Sequence, residues 1–123
     1  MPKFMSFVRA NSSMESNSTP DPSELAAMCV YNTTLREAVI LDTAQGLLSS
    51  VRSGTRIIFH DSGAPTVQAG PFPANEIVAG YWIIEVKNLE EAVGCAVKAD
   101  FREGNVSEVR RIADLKVNFP EVQ

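Results

Sequence analysis

Apolar positions fall into short runs whose period changes along the chain, and each change marks a different element. Lys3 to Ala10 (KFMSFVRA) is aromatic and β-branched, and the polar stretch 11–20 follows it, which predicts a first strand leaving into a flexible loop. That loop closes on Asp21-Pro22-Ser23-Glu24, where Asp21 suits a helix cap, Pro22 the first helical position, and Glu24 sits three residues after the cap. In the helix beyond it, Leu25, Met28, Leu35 and Val39 recur at spacings of three, four and seven, defining one core-facing stripe. The helix is expected to end near Ala44 to Gly46. Helical phase puts Asn32 and Arg36, neighbours four apart, near the centre of this stripe.

Further along, 55–60 and 65–68 flank Asp61-Ser62-Gly63-Ala64, which predicts a hairpin. Gly70-Pro71-Phe72-Pro73 interrupts regular structure, and Ile77 to Val86 (IVAGYWIIEV) resumes as a nearly continuous apolar run, the mark of a central strand covered on both faces. Asn88-Leu89-Glu90-Glu91 opens a second amphipathic helix, expected to end near Asp100, and Ser107 to Ile112 supplies a last strand. The order is strand, helix, hairpin, strand, helix, strand: an α+β, ferredoxin-like split βαβ arrangement with an extra hairpin strand. Two helices cover only one face of such a sheet, so the central strand calls for a second sheet, and a sheet-to-sheet homodimer is expected.

A chain of 123 residues, 45% hydrophobic and 21% charged, fits one domain over 1–123. The net charge of -4 and pI near 4.9, with no basic run, argue against nucleic acid as a partner. There is no apolar run of the roughly 18 to 20 residues that a bilayer demands, and the first ten residues lack a signal pattern, so no membrane association and a cytoplasmic location are expected. In that compartment the four Asn-x-Ser/Thr triplets are chance, and Cys29 and Cys95 are expected as small buried thiols in helices. One histidine and no Cys/His cluster argue against a metal, and the lack of phosphate loops or dinucleotide motifs argues for no cofactor.

Gly70-Pro71-Phe72, then Glu76 to Val86 with its Gly-Tyr-Trp centre, then Leu89-Glu90-Glu91-Ala92 resembles the signature of the YCII-related family. Tyr31-Asn32, Gly46-Leu47 and Glu108-Val109-Arg110 fit the same pattern, so the resemblance runs along nearly the whole chain. It implies a dimeric α+β barrel with a cavity between sheet and helices, a superfamily that hosts cofactor-independent oxygenases, isomerases, decarboxylases and lyases. Two departures matter. Ala69 stands where the family usually has Asp before Gly-Pro-Phe, and Gln45 where it usually has Glu before Gly-Leu, so no role is carried over from either acid.

The remaining candidates follow from chemistry. Histidine is the side-chain type whose unperturbed titration lies near neutrality, so His60 suits acid/base work, against the plainer reading of a solvated residue at a hairpin end. Glu76 is the acid left in the signature loop, either a base or a solvated charge. Arg36 and Asn32 on an apolar stripe need a partner or a cavity: they hold a ligand's oxyanion and carbonyl, or Arg36 snorkels past the sheet edge or pairs with a carboxylate such as Glu85 or Glu108 while Asn32 bonds backbone. Tyr81 and Trp82, consecutive on a strand, face opposite sides, one toward the helices. With Met28, Phe72 and Ser6 they are the expected lining for a flat apolar ligand. The leading expectation is a cofactor-independent lyase or isomerase moving a proton next to the carbonyl or phenol of a small hydrophobic metabolite, for instance in natural-product biosynthesis. His60 or Glu76 would be the base, with Arg36 stabilising charge. The alternative is a non-catalytic dimeric ligand-binding or accessory protein that has lost the family's acids.

Overall fold

The structure, a computed structural model, describes residues 1–16, 21–99 and 101–122. Its strands are β1 (Lys3–Arg9), β2 (Leu41–Gly46), β3 (Thr55–Ile58), β4 (Thr66–Ala69), β5 (Val78–Glu85) and β6 (Ser107–Arg111). Its α-helices are α1 (Ser12–Glu15), α2 (Pro22–Glu37), α3 (Ser50–Ser53), α4 (Leu89–Ala96) and α5 (Leu115–Asn118). Four strands form one antiparallel sheet in the order β2-β5-β1-β6, and β3-β4 forms a separate two-stranded hairpin. This is the split βαβ arrangement, α+β, with the hairpin inserted between its second and third strands.

Pairing of β1 with β5 sets the core. Phe4 lies opposite Ile84, Ser6 opposite Trp82 and Val8 opposite Gly80, and all six are buried on the face that α2 and α4 cover. Met5, Phe7, Tyr81 and Ile83 alternate onto the other face, where they are only half-buried. The chain therefore covers one side of its central strand and leaves an apolar stripe on the other.

Caps that the sequence marks are in place. The Asp21 side chain accepts from Ser23 N at the start of α2, and Asn88 accepts from Glu91 N at the start of α4. A four-residue helix, α1, occupies part of the stretch expected as a flexible loop, and 17–20 lie outside the described residues. The second helix stops at Ala96, short of Asp100, which also lies outside them.

The main correction concerns the end of α2. The helix stops at Glu37 instead of running to Ala44, and Leu41–Gly46 is the sheet's second strand. Ile40 N bonds Leu35 O and Val39 N bonds Arg36 O, the paired turn of a Schellman motif, with Val39 at φ 58 in the position usually held by glycine. A β-branched residue there carries no stop signal, so Val39, Ile40 and Leu41 look like more helix. The strand that follows, Leu-Asp-Thr-Ala-Gln-Gly, is polar because it lies at the sheet edge. Leu25 and Val39, taken as stripe residues, are both exposed, as is Cys29.

Since a left-handed non-glycine residue costs on the order of 1–3 kcal/mol, Val39→Gly is expected to stabilise the protein by about 1 kcal/mol after the entropy of the added glycine. Urea denaturation measures this, and a destabilised variant contradicts the strained turn.

Candidate functional site

A cavity of about 530 Å³ opens between the sheet and α2. Gly80 makes room for it: opposite Gly46 on β2 and Val8 on β1, it adds no side chain to the helix-facing surface. A Cβ at Gly80 would lie 3.0 Å from Gln45 O, so the two strands leave little slack for one. Next along the same face, Trp82 supplies an apolar wall, packed edge-on against Tyr31 at 5.7 Å and against Phe101 at 5.9 Å between ring centroids. Met14 and Met28 add flexible apolar surface.

The stripe of α2 that meets this wall is Met28, Tyr31, Asn32 and Leu35, spaced i, i+3, i+4, i+7. Asn32 Oδ1 accepts from Trp82 Nε1 at 2.7 Å. An indole only donates, so this bond fixes the amide orientation and turns the two Nδ2 protons away from the ring. Among the described residues nothing accepts from that Nδ2, and Asn32 lines the cavity. A ligand oxygen is the partner it lacks.

The polar part of the wall comes from before α2. Glu15 accepts from Ser50 N at 2.9 Å and from Ser50 Oγ, and Ser50 Oγ in turn accepts from Phe72 N at 3.0 Å. This chain ties α1 to α3 and to the Gly70-Pro71-Phe72 turn, where a Cβ at Gly70 would lie 2.2 Å from Ser50 O. Glu15, Asp21 and Glu24 all line the cavity. The Ser23 backbone N–H, then its hydroxyl, hold the Asp21 carboxyl below its usual range. Glu24 lies 3.5 Å from Arg102 Nε. Ser49, 9% exposed, borders the same cavity, and its hydroxyl is buried with no partner among the described residues.

Of the expected site residues, Asn32, Met28, Trp82 and Tyr81 border the cavity. Trp82 is the aromatic that faces the helices, and alternation sends the Tyr81 ring to the uncovered face. Ser6 is buried within hydrogen-bond distance of Ser107 Oγ, at 3.3 Å, and Phe72 is buried under Arg56, so neither lines the cavity. The three proposed catalytic residues lie elsewhere and apart. His60, beyond β3, is exposed and hydrogen-bonded to Thr66 Oγ1 at 2.7 Å, as in its plainer reading. Glu76 is exposed and pairs with Arg56 Nη1 at 3.2 Å. Arg36 is exposed and borders no part of the cavity. It lies about 80° around the helix from Met28, and with Tyr31 replacing Leu25 and Val39 in the true stripe, the core-facing centre rotates away from it. Local pattern does not mark Glu15, Asp21, Glu24 or Ser49 as cavity residues: Glu15 sits in a polar stretch, Asp21 and Glu24 read as helix-start residues, and Ser49 carries no motif.

An antiparallel sheet in the order β2-β5-β1-β6, two helices on one face and a cavity beside its central tryptophan define the protein as a ferredoxin-like α+β unit with a ligand-sized pocket. The chain belongs to the YCII-related domain family, whose model matches residues 5–116. No curated protein matches it.

Tyr31 anchors the wall from behind, its hydroxyl donating to Cys95 O at 2.7 Å. Desolvation, then the nearby Cys95, pushes its phenol from 10.0 up to about 12. An acid raised on folding contributes its stability fully below the unfolded value near 10 and loses it as pH rises through about 12. Alkaline titration at the phenolate absorbance band is expected to show a step near 12 that Tyr31→Phe removes. If the step lost in the variant lies near 10, the ring is solvated instead.

Proposed function

We propose that this protein is a homodimeric small-molecule-binding protein, each protomer holding a flat, largely apolar ligand between its sheet and α2 while Asn32 Nδ2 donates to an acceptor oxygen. The observation that carries this reading is the pairing of Asn32 with Trp82, which leaves oriented donors inside a cavity of about 530 Å³ walled by aromatic and methionine side chains. A drug-sized metabolite fits that volume. Glu15 is a carboxylate in the wall, but its two oxygens are engaged by the backbone N–H and hydroxyl of Ser50 rather than free to meet a ligand.

A lyase or isomerase moving a proton next to a carbonyl is the second reading. It is favoured by the same Asn32 donors, which would polarise a carbonyl and stabilise an enolate. His60, Glu76 and Arg36 do not enter one protomer's cavity, so in this reading a base comes from Glu15 or from a second copy.

Support for the dimer is the stripe Met5, Phe7, Tyr81 and Ile83 across the open face of the sheet. Ile57, Phe59 and Val67, exposed on or beside the β3-β4 hairpin, are further apolar surface. Analytical ultracentrifugation at micromolar concentration is expected to give a dimer for the native chain. Ile83→Glu, with a charge in the middle of the stripe, is expected to give a folded monomer. A native monomer defeats the proposal.

Trp82 is the one tryptophan and lines the cavity, so its emission reports occupancy. Titration with 4-phenylbutan-2-one is expected to saturate, and Asn32→Leu to weaken binding about tenfold, the range of one lost hydrogen bond to a buried acceptor. Proton NMR in deuterium oxide separates the two readings. Saturable binding without accelerated deuteration next to the carbonyl marks a binding protein, and accelerated exchange marks the enzyme.

A further inference from the structure

Charge in the cavity wall is one-sided. Glu15, Asp21 and Glu24 line it, and no lysine, arginine or histidine does. Arg102 approaches Glu24 from outside at 3.5 Å, and its side chain is 61% exposed, a counter-ion that a ligand displaces at little cost. Glu15 and Asp21 have no ion-pair partner among the described residues; their hydrogen-bond donors are the neutral backbone and hydroxyl groups of Ser50 and Ser23. The Ser23 donors hold the Asp21 carboxyl below its usual range, with Arg102 adding a smaller pull in the same direction. The acids do not gather into a cluster able to hold a metal ion among the described residues.

A second observation points to a ligand in the same place: Asn32 lines the cavity with its amide held by Trp82, and among the described residues nothing accepts from its Nδ2. Trp82 and Phe101, whose ring faces carry negative potential, favour a cationic guest.

Resting on the reading of this cavity as a ligand site, we propose that its ligand is an organic cation: a protonated amine on a flat apolar frame, with Glu15 and Asp21 as counter-charge and Asn32 Nδ2 bonding an acceptor on the frame. Anionic metabolites are disfavoured, since a carboxylate placed here meets three like charges and no cation in the wall. An oxyanion held by Arg36 is therefore not the recognition mode of this site.

Three probes of one skeleton test it on the full chain at neutral pH: 4-phenylbutylamine, 4-phenylbutan-2-one and 4-phenylbutyrate, followed by Trp82 emission and calorimetry. The amine is expected to bind about tenfold tighter than the ketone, and the carboxylate more weakly than either. Added salt is expected to shrink the advantage of the amine and leave the ketone unchanged. Glu15→Gln keeps an acceptor for Ser50 N, and Asp21→Asn keeps the helix cap, so each removes charge with little else. Each is expected to weaken the amine severalfold and leave the ketone as it was. Should Glu15→Gln unfold, Asp21→Asn and the salt series decide the matter. Equal affinity for amine and ketone, tighter binding of the carboxylate, or an amine affinity indifferent to both substitutions overturns the cation and leaves the cavity reading standing. Failure of all three probes to bind removes both.

Discussion

The register of β1 against β5 is the constraint on which everything else depends. It places Phe4, Ser6 and Val8 opposite Ile84, Trp82 and Gly80, so one face of the sheet carries large apolar groups at one end and a glycine at the other. A slip by one residue would turn Trp82 to the open face and Tyr81 toward the helices, exchanging core for surface along both strands. The packed end becomes the core around Ile84, Val86 and Ala92, and the end holding Gly80 becomes the cavity.

Trp82 sits where the two meet, and its polar edge decides how they join. A buried indole N–H needs an acceptor, and Asn32 supplies one from α2, so a single hydrogen bond sets the angular position of the helix and the direction of the free amide protons. The Glu15–Ser50–Phe72 chain does the same for the opposite wall, binding a short helix, the loop before the hairpin and the Gly-Pro-Phe turn through one carboxylate. Neither link adds much to stability on its own. Both exclude alternatives, since each leaves a buried polar group unpaired if its elements shift.

Loss of the acids at Ala69 and Gln45 looks, in sequence, like loss of function. In three dimensions the cavity is not short of carboxylates; they come from α1, from the cap of α2 and from its first turn. The consequence is a cavity whose wall carries Glu15, Asp21 and Glu24 and, among the described residues, no lysine, arginine or histidine, with Glu15 tied by hydrogen bonds to Ser50.

What the sequence determined by itself is whatever has a local cause. Period and capping chemistry marked β1, the start of α2, the β3-β4 hairpin, β5, α4 and β6, because Asp21-Pro22, Asn88 and the apolar run 77–86 act within a turn or a strand of their own position. The order of these elements carries the split βαβ topology, and Asn32 stood out as a polar group on an apolar stripe. Tertiary structure decided the rest. Val39 adopts a left-handed turn that its own preferences oppose, because Leu35 must face the core while Leu41 joins an edge of the sheet. Arg36 left the stripe once Tyr31 packed on Trp82, a contact across 51 residues of chain. Glu15, Asp21, Glu24 and Ser49 meet at one cavity only after the sheet brings 13–15, 21–32 and 44–49 side by side, and no local pattern records such a meeting.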